Sequence, residues 1–158
     1  MTDAPADIII RTPRTGDLDQ VAAMERRSFA DPWAREALAQ ELTADRLRLP
    51  LVAEVQGRIV GYLMAWKIVD QLHVLNIASE PDFRRRGVGT ALLRAAAREA
   101  AAAGMVEVTL EVRASNQAAR AFYLGHGFQE TGLRRGYYAD NGEDAIIMTC
   151  GTAGLLGA

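Results

Sequence analysis

The residues of this 158-residue chain best suited to bind a charged ligand form the run RRRGVG at Arg84–Gly89, between a predicted strand and a predicted helix. Two glycines let the backbone approach a ligand closely, and the first-turn N–H groups of a helix, at the positive end of its dipole, suit phosphate oxygens. The spacing is not the dinucleotide fingerprint, which needs a third glycine where this chain has Leu92, nor a Walker A loop, because no Gly-Lys-Ser/Thr follows. The run predicts a pyrophosphate-binding loop, although by itself a glycine-rich helix start beside solvated arginines explains it equally well.

The elements that must position this loop follow from hydrophobic periodicity and turn residues. From Val88 to Ala96 apolar residues recur at helical spacing, Gly104 ends that helix, and residues Glu107 to Val112 alternate as in a strand. Asp31-Pro32-Trp33 is typical of an N-cap followed by proline at the first helical position. The other predicted elements are strands at Ile8–Arg11, Leu49–Val55, from Ile59 onward, at Gln71–Ile77, Phe128–Arg135 and Asp144–Thr149, and helices after Asp17 and at Asn116–Leu124.

The resulting order, β-α-α-β-β-β-α-β-α-β-β, contains no repeat and no linker and predicts one α/β (α+β) domain around a mixed sheet. With roughly 150 residues per domain, 158 residues leave no room for a second one. We expect the single domain to span residues 1–158, with its core at about 8–149 and a frayed tail at 150–158, where the residues are small and uncharged.

Composition argues against several classes of function. Eighteen Lys and Arg against twenty Asp and Glu give a formal charge of −2, which disfavours general affinity for nucleic acid or an anionic membrane. The longest uncharged stretch, residues 145–158, is shorter than the roughly 20 residues of a membrane-spanning helix, and the N-terminus lacks the basic start of a signal peptide, so we expect a cytoplasmic protein. One cysteine and two histidines allow neither an internal disulfide nor a zinc spacing, and no metal is expected. We expect His73 and His126 to be structural or exposed, and Cys150 to be a small buried or tail residue.

Four blocks of sequence carry a family pattern. They are NIASEPDFRRRGVG at 76–89, LEVRASNQAARAFYLGHGF at 110–128, RRGYY at 134–138 and EDAIIM at 143–148. Together they resemble the Gcn5-related N-acetyltransferase (GNAT) superfamily, whose coenzyme A loop has the pattern R/Q-x-x-G-x-G/A. Within it they resemble the RimI-type enzymes, which acetylate the N-terminal alanine of a small-subunit ribosomal protein. The resemblance covers about residues 8–149 and implies a GNAT-like fold, a mixed central sheet flanked by helices. It also implies acetyl-CoA as cofactor, CoA as product, and a protein substrate with a free N-terminus.

The resemblance also implies which residues bind the cofactor. Backbone groups of the Arg84–Gly89 loop would hold the pyrophosphate, main-chain groups at the end of a strand would bind beside the acetyl and pantetheine groups, and an asparagine would hydrogen-bond the pantetheine arm. The cofactor-binding residues implied in this way are Ile77, Ala78, Arg84, Arg85, Arg86, Gly87, Val88, Gly89, Thr90, Asn116 and Tyr123.

Glu111 lies in the LEVR block, at the place where RimI-type enzymes have their catalytic base. Acetyl transfer from a thioester to an amine needs a neutral amine, a stabilised oxyanion and a proton for the departing thiolate. An α-amine with a pKa near 8 is about 10% neutral at pH 7, whereas a lysine with a pKa near 10.4 is only about 0.04% neutral. Deprotonating an N-terminal substrate therefore needs a weaker base than deprotonating a lysine. The resemblance implies direct attack through a tetrahedral intermediate with Glu111 as the base, acting directly or through a water. The alternative is a salt-bridged or solvated strand carboxylate.

Tyr123 follows Asn116 by seven residues, about two helical turns, so the two side chains can share one pocket. A phenol with a pKa near 10 can protonate a departing thiolate, whose conjugate acid has a pKa near 8.5. In the family the tyrosine at this place is the general acid. The alternative for Tyr123 is core packing beside Phe122.

Aromatic and acidic residues are candidates for binding the acceptor. The segment Phe29–Trp33 and the pair Tyr137-Tyr138 would form aromatic walls, and the pair Glu143-Asp144 would supply negative charge. Trp33 can equally be a hydrophobic cap on the core, and Arg134-Arg135 are either solvated or hold the acidic pair. The substrate-binding residues predicted are Phe29, Trp33, Tyr137, Tyr138 and Asp144.

The sequence is compatible with more than one function. The first is acetylation of the N-terminal alanine of a ribosomal small-subunit protein, and a second keeps acetyl-CoA but uses a small-molecule amine or a lysine as acceptor. A non-catalytic acyl-CoA sensor is disfavoured because both Glu111 and Tyr123 are present. An RNA-directed role for the arginine run is disfavoured by the net negative charge.

Overall fold

The computed structural model describes residues 7–157. Its strands are β1 (Ile9–Arg11), β2 (Arg48–Val55), β3 (Arg58–Ile68), β4 (Gln71–Ser79), β5 (Glu107–Arg113), β6 (Gln129–Arg134) and β7 (Ala145–Gly151). Its helices are α1 (Leu18–Ser28), α2 (Arg35–Glu41), α3 (Val88–Ala102), α4 (Gln117–Gly125) and α5 (Thr152–Leu156), with short 3-10 turns at Thr15–Asp17 and Pro81–Phe83. Within the described part, no helix is long and apolar enough to cross a membrane.

The seven strands are hydrogen-bonded in the order β1-β2-β3-β4-β5-β7-β6. β4 and β5 are parallel, whereas β1 with β2, β5 with β7 and β6 with β7 are antiparallel. The prediction of a mixed sheet flanked by helices is therefore confirmed. The described chain groups into two compact units, one with the residues up to Ala65 together with Asn76–Ala96, the other with Trp66–Leu75 and the residues from Ala97 onward.

The core of the first unit is formed by amphipathic helices on strands. Val21, Ala22 and Met24 recur on one face of α1 and are buried, as is Leu38 of α2. Burying a leucine side chain such as Leu38 contributes about 1.5–3 kcal/mol to stability. Packing, rather than intrinsic helix propensity, therefore holds the seven-residue α2 in place. The buried cluster consists of Val21, Ala22, Met24, Leu38, Leu42, Val52, Ile59, Tyr62 and Met64.

Gly61 of β3 allows α3 to pack closely on the strands of this unit. A Cβ at this position would lie 2.5 Å from Cγ1 of Val88, 3.0 Å from the carbonyl oxygen of Ala78 and 3.2 Å from Cδ1 of Leu92. Only glycine leaves room for the first turn of α3 at this point. Gly61 thus sets the position of the helix that follows the Arg84–Gly89 loop.

The second unit is centred on β5, which pairs with both β4 and β7. Along β5 the residues alternate, so that Val108, Leu110 and Val112 are buried while Glu111 lies on the opposite face. Tyr123 of α4 and Phe128, just before β6, are buried in this unit and meet edge to face, with ring centroids 5.4 Å apart. The apolar face of β5 therefore faces the core, and its polar face carries the candidate base.

The second helix begins later than the sequence predicts. Asp31-Pro32 is typical of a helix start, yet α2 begins at Arg35, and its N-cap, Ala34, is extended with φ −64° and ψ 152°. The reason lies in tertiary structure, because the backbone N–H of Trp33 donates to Oε2 of Glu25 at 3.0 Å. The segment before Ala34 is thus held on Glu25 of α1 and lies outside the helix.

The C-terminal residues also differ from the frayed tail that the sequence predicts at 150–158. Strand β7 continues to Gly151, which pairs with Glu107 of β5, and α5 follows directly. The Oγ1 hydroxyl of Thr152 donates to the carbonyl of Met105 at 3.0 Å, and Leu155 is only 2% exposed. Residues 150–157 are therefore fixed by sheet pairing and burial of an apolar side chain, while residues 1–6 and 158 of the expected domain lie outside the described residues.

Candidate active site

The Arg84–Gly89 loop leads from the 3-10 turn Pro81–Phe83 into α3. Arg85 and Gly87 have φ values of +64° and +84°, in the left-handed region that glycine adopts without steric cost. A Cβ built on Gly87 would meet no atom within 4 Å, so the space beside the loop is open. The N–H of Ala91 donates to the carbonyl of Gly87 at 2.9 Å, which places the loop directly at the N-terminus of α3. Open space, a turned backbone and a helix N-terminus fit a phosphate group.

A cluster of charged and aromatic side chains lies beside the start of this loop. The guanidinium groups of Arg58 and Arg86 each lie 5.4 Å from the ring centroid of Phe83, within the range of cation–π attraction. Glu80 is buried at the end of β4, where it pairs with Arg27 and, at 3.5 Å, with Arg58. Sequence analysis did not identify these contacts, since nothing local links the ion-pair partners to the loop.

Two of the predicted cofactor residues lie at the end of β4. Ile77 and Ala78 are both partly buried, and the side chain of Ala78 packs against the core cluster of the first unit. Val88, at the start of α3, is also buried, so its side chain is part of the core and only its backbone is suited to a ligand. Their contacts with a cofactor stay predictions.

Three polar side chains surround the carboxylate of Glu111, whose side chain is 11% exposed. Nε2 of His73 on β4 lies 3.2 Å from its Oε1, and Nε of Arg134 on β6 lies 3.6 Å from the same oxygen. The hydroxyl of Tyr137 hydrogen-bonds to Glu111, and this bond is the main cause that raises the pKa of Tyr137 to about 12. A carboxylate fixed by groups from three segments has the defined position that a general base requires.

His73 is the residue of this cluster that sequence analysis missed, since it was expected to be structural or exposed. Parallel pairing sets His73 opposite Thr109, so its side chain shares a face with Glu111, two residues further along β5. The available signal was alternation, because His73 and Glu111 each lie between two buried apolar residues. That signal becomes useful only when β4 and β5 are known to be neighbours.

Tyr123 is enclosed in the second unit, with 6% of the residue exposed. Its ring meets those of Phe122 and Phe128 edge to face, at centroid distances of 5.3 Å and 5.4 Å. Burial is the main cause that raises the pKa of its phenol above the usual value. Tyr123 is thus packed as the structural alternative requires, and its hydroxyl stays protonated over the whole ordinary pH range, as a proton donor requires.

Asn116 is the N-cap of α4. Its side-chain carbonyl accepts a hydrogen bond from the N–H of Ala119 at 3.1 Å, which satisfies one first-turn donor of the helix. The side chain therefore has a structural task that the sequence analysis did not assign. If Asn116 contacts the pantetheine arm, its Nδ2 amide is the group that does so.

The aromatic residues before α2 belong to the core of the first unit as well as to its surface. Phe29 and Trp33 are partly buried and pack against the apolar cluster, as the alternative for Trp33 proposed. The N–H groups of both residues are bound by Glu25, through its main-chain carbonyl and its carboxylate respectively. The segment Phe29–Trp33 is therefore held against the core.

The loop between β6 and β7 is organised around Arg113. Its guanidinium carbon lies 4.0 Å from the ring centroid of Tyr138, and its Nη atoms pair with Asp140 at 3.0 Å and Glu143 at 3.5 Å. Glu143 also accepts from the Ser115 N–H at 2.7 Å, and contacts with Ser115 are the main cause that lowers the pKa of this carboxyl. Arg113 therefore holds Glu143, a role that was considered for Arg134-Arg135.

The other predicted acceptor group in this loop, Asp144, is also used within the chain. Its Oδ1 accepts from the N–H of Gly136 at 2.8 Å. The rings of Tyr137 and Tyr138, which lie between these two residues in sequence, meet at a centroid distance of 5.1 Å. Tyr137 is about half exposed, whereas Tyr138 is partly buried. Glu143 and Asp144 thus both form hydrogen bonds within the protein. Of the predicted acceptor-binding residues, Tyr137 is the one that contacts the candidate base, Glu111.

The remaining histidine and the cysteine have structural surroundings. Nδ1 of His126 lies 2.7 Å from the carbonyl oxygen of Phe122 at the end of α4, and Cys150 is buried near the main chain of His126. Across residues 7–157, no group of three or more His, Cys, Asp or Glu side chains is arranged to hold a metal ion.

Comparison with known proteins identifies the family. The sequence model of the Acetyltransferase (GNAT) family matches residues 18–128, which is most of the chain. The chain belongs to this family. The predicted family is therefore confirmed, and the matched region contains two of the four blocks that suggested it, 76–89 and 110–128.

Individual GNAT relatives match over nearly the whole chain. The ribosomal protein bS18-alanine N-acetyltransferase of Salmonella typhimurium is 40% identical over 136 residues, covering 85% of this chain and 90% of the relative. The enzyme of the same name from Escherichia coli is 37% identical over 141 residues, covering 88% and 94%. The crystal structure of the ribosomal-protein-S18-alanine N-acetyltransferase from Escherichia coli matches with a TM-score of 0.82 at 35% identity, over 92% of this chain and 94% of that one.

Proposed function

We propose that this GNAT protein is an acetyl-CoA-dependent N-terminal acetyltransferase whose acceptor is the α-amine of an alanine at the start of a ribosomal small-subunit protein, modified in the cytoplasm. The relatives named above support the acceptor class. The observation that carries the chemistry is the carboxylate of Glu111, fixed by His73, Arg134 and Tyr137 on the polar face of β5.

Acetyl-CoA supplies an acetyl group activated as a thioester. The backbone N–H groups at the start of α3 would hold its phosphates, because the left-handed turn at Gly87 leaves the adjoining space open. The exposed Arg84 and Arg85 add positive charge beside them. Nδ2 of Asn116 is suited to the pantetheine arm, since the Oδ1 of this side chain already caps α4.

Glu111 would take the proton from the ammonium group of the acceptor, directly or through one water. Tyr137, His73 and the guanidinium of Arg134 keep the carboxylate in one orientation, so it does not have to be reoriented during the reaction. Because the pKa of Tyr137 is raised to about 12, its hydroxyl stays protonated and remains a hydrogen-bond donor at every physiological pH.

Tyr123 would supply the proton that the departing sulfur needs. Burial disfavours the phenolate, so the phenol holds its proton until negative charge develops nearby. The acceptor itself would be held by the aromatic residues Phe29, Trp33, Tyr137 and Tyr138. The acidic residue Asp144 acts mainly by keeping its loop closed, since Gly136 already occupies one of its oxygens.

The experiment that tests this function uses acetyl-CoA and two peptides of the same sequence. One begins with a free alanine and contains an internal lysine, and the other has its N-terminus blocked. Mass spectrometry of fragments should locate a single acetyl group on the α-amine of the first peptide and none on the second. Modification of the lysine in both peptides, or activity only on small polyamines, would contradict the proposal and favour the other acceptor class.

A further inference from the structure

Glu25 of α1 is a fully buried carboxylate that the mechanism above does not use. A buried charge is costly unless it is paired or hydrogen-bonded, so its partners explain why it is tolerated. Its neighbours on the same helix face, Val21, Ala22 and Met24, are all apolar core residues. An acidic residue at this position therefore needs a reason beyond packing.

The partners of Glu25 come from three other segments. Its Oε1 accepts from the hydroxyl of Tyr62 on β3 and from Nδ2 of Asn76 on β4, the latter at 2.9 Å. Its Oε2 accepts from the backbone N–H of Trp33 at 3.0 Å. Its main-chain carbonyl accepts from the N–H of Phe29 at 3.1 Å.

These bonds divide into two groups with different consequences. The hydrogen bonds at Oε1 join α1 to β3 and β4 and stabilise the core. Those at Oε2 and at the main-chain carbonyl bind both aromatic ends of the segment Phe29–Trp33, which lies between α1 and α2 and has no helix or strand of its own. The bond to Phe29 is the last main-chain bond of α1 and does not depend on the side chain at position 25. The Glu25 carboxylate thus connects the core strands to the backbone of Trp33.

We infer that Glu25 is a positioning residue for the acceptor: its carboxylate fixes the Trp33 end of the segment Phe29–Trp33, so that the aromatic side chains of the segment present a preformed surface to the N-terminal residues of the peptide. This role rests on the proposed function for its acceptor, but the attachment of Trp33 to Glu25 does not. Preforming a binding segment lowers the entropy lost when the acceptor binds, and so it acts on peptide affinity more than on the chemical step.

Glu25→Gln tests the attachment with almost no change in shape. A carboxylate accepts at both oxygens, whereas an amide accepts at one and donates at the other. The backbone N–H of Trp33 can only donate, so an amide nitrogen turned toward it faces another donor. Turned the other way, the amide nitrogen is accommodated only if the Tyr62 hydroxyl or the Asn76 amide reverses its role. The KM for the alanine-initiated peptide should rise about tenfold or more, while kcat at saturating peptide and the Kd for acetyl-CoA should change less than about threefold.

Tyr62→Phe is the matched control. It removes one donor from Oε1 and leaves the contact between Oε2 and Trp33 intact. It should lower the melting temperature, as a lost buried hydrogen bond does, without a comparable rise in peptide KM. Should Glu25→Gln melt below the assay temperature, Glu25→Asp keeps both acceptor oxygens on a side chain shorter by one methylene, and its peptide KM should rise in the same direction.

Tryptophan fluorescence reports on the segment without any catalysis. The chain has two tryptophans, so in a Trp66→Phe background the emission comes from Trp33 alone. Glu25→Gln in this background should shift the emission to longer wavelength, because Trp33 leaves its partly buried site against the core. Tyr62→Phe should leave the emission close to that of the parent.

The outcomes separate this inference from the proposed function. If the wild-type protein acetylates some other amine, the proposed function fails, and the same variants are measured with that amine and by Trp33 emission. Unchanged emission and unchanged acceptor KM in Glu25→Gln would overturn the inference. So would a rise in KM in Tyr62→Phe equal to that in Glu25→Gln at equal loss of melting temperature, because Glu25 would then be a core residue only.

Discussion

Replacing Glu111 with glutamine removes the proposed proton acceptor while keeping the shape of the side chain. The amide oxygen can take the place of Oε1, which lies 3.2 Å from Nε2 of His73 and on the same side as Arg134. The cluster around position 111 should therefore stay assembled. What the variant loses is the ability to take a proton from the acceptor amine.

The size of the expected loss follows from the acceptor. Removing a general base costs on the order of 10²- to 10⁴-fold in rate, and the lower end, about 10², applies at pH 7 because an α-amine with a pKa near 8 is already about 10% neutral there. At pH 9 about 90% of such an amine is neutral. Since the amine loses its proton as the pH rises, turnover by the variant should increase roughly ninefold between pH 7 and pH 9, more than turnover by the wild type.

The assay is a pH–rate profile with the alanine-initiated peptide, with acetyl-CoA affinity and melting temperature measured alongside. Glu107→Gln is the matched control, because Glu107 lies on the same face of the same strand and is bound by Gln71 instead of the Glu111 cluster. It should keep nearly the wild-type rate.

Three results would refute the reasoning about Glu111. A loss that stays constant from pH 7 to pH 9 would leave the carboxylate a positioning role and no role as base. Near wild-type turnover would make Glu111 a structural carboxylate, held by His73 and Arg134 for stability alone. An equal loss in Glu107→Gln would show that negative charge on β5, rather than proton transfer, limits the rate.

Further predictions concern the acid, the loop and the tyrosine beside the base. Tyr123→Phe should lower turnover by a factor that does not vary with pH, because burial already keeps this phenol protonated; rescue at high pH would contradict its role as donor. Gly87→Val should weaken calorimetric acetyl-CoA binding by at least about tenfold with the fold retained, since φ is +84° there; unchanged affinity would exclude the loop as the phosphate site. In Glu111→Gln the pKa of Tyr137 should fall from about 12 toward its ordinary value near 10, because the carboxylate that holds its proton is gone; an unchanged phenolate absorbance titration would disprove that contact.

Much of the fold was predictable because its signals are local. The bounds of the predicted elements agree with the structure to within about two residues except at α2 and the C-terminus. The apolar stripe of α3 and the alternation along β5 repeat with the period of the element itself, so they need no knowledge of partners. The same holds for the Arg84–Gly89 loop, where the residue types alone specify a turned backbone at a helix start.

The late start of α2 was not predictable, because Asp31-Pro32 is a good local signal, whereas in the structure Ala34 is extended and Trp33 is bound to the preceding helix. Glu25 lies on the preceding helix and accepts from Trp33, and nothing in the spacing of the two residues indicates that bond. The ordered C-terminus depends on a contact that is distant in sequence, since the Thr152 hydroxyl donates to the carbonyl of Met105, 47 positions earlier.

The sequence by itself therefore determined the family and the order of elements, and it singled out the candidate phosphate-binding loop, base and acid. The tertiary structure decided which groups face them. His73 is 38 positions before Glu111 and meets it only because β4 and β5 pair in parallel with His73 opposite Thr109. Local patterns specify periodicity and turns, whereas side-chain partners across a sheet depend on strand order and register, and these are properties of the whole packed chain.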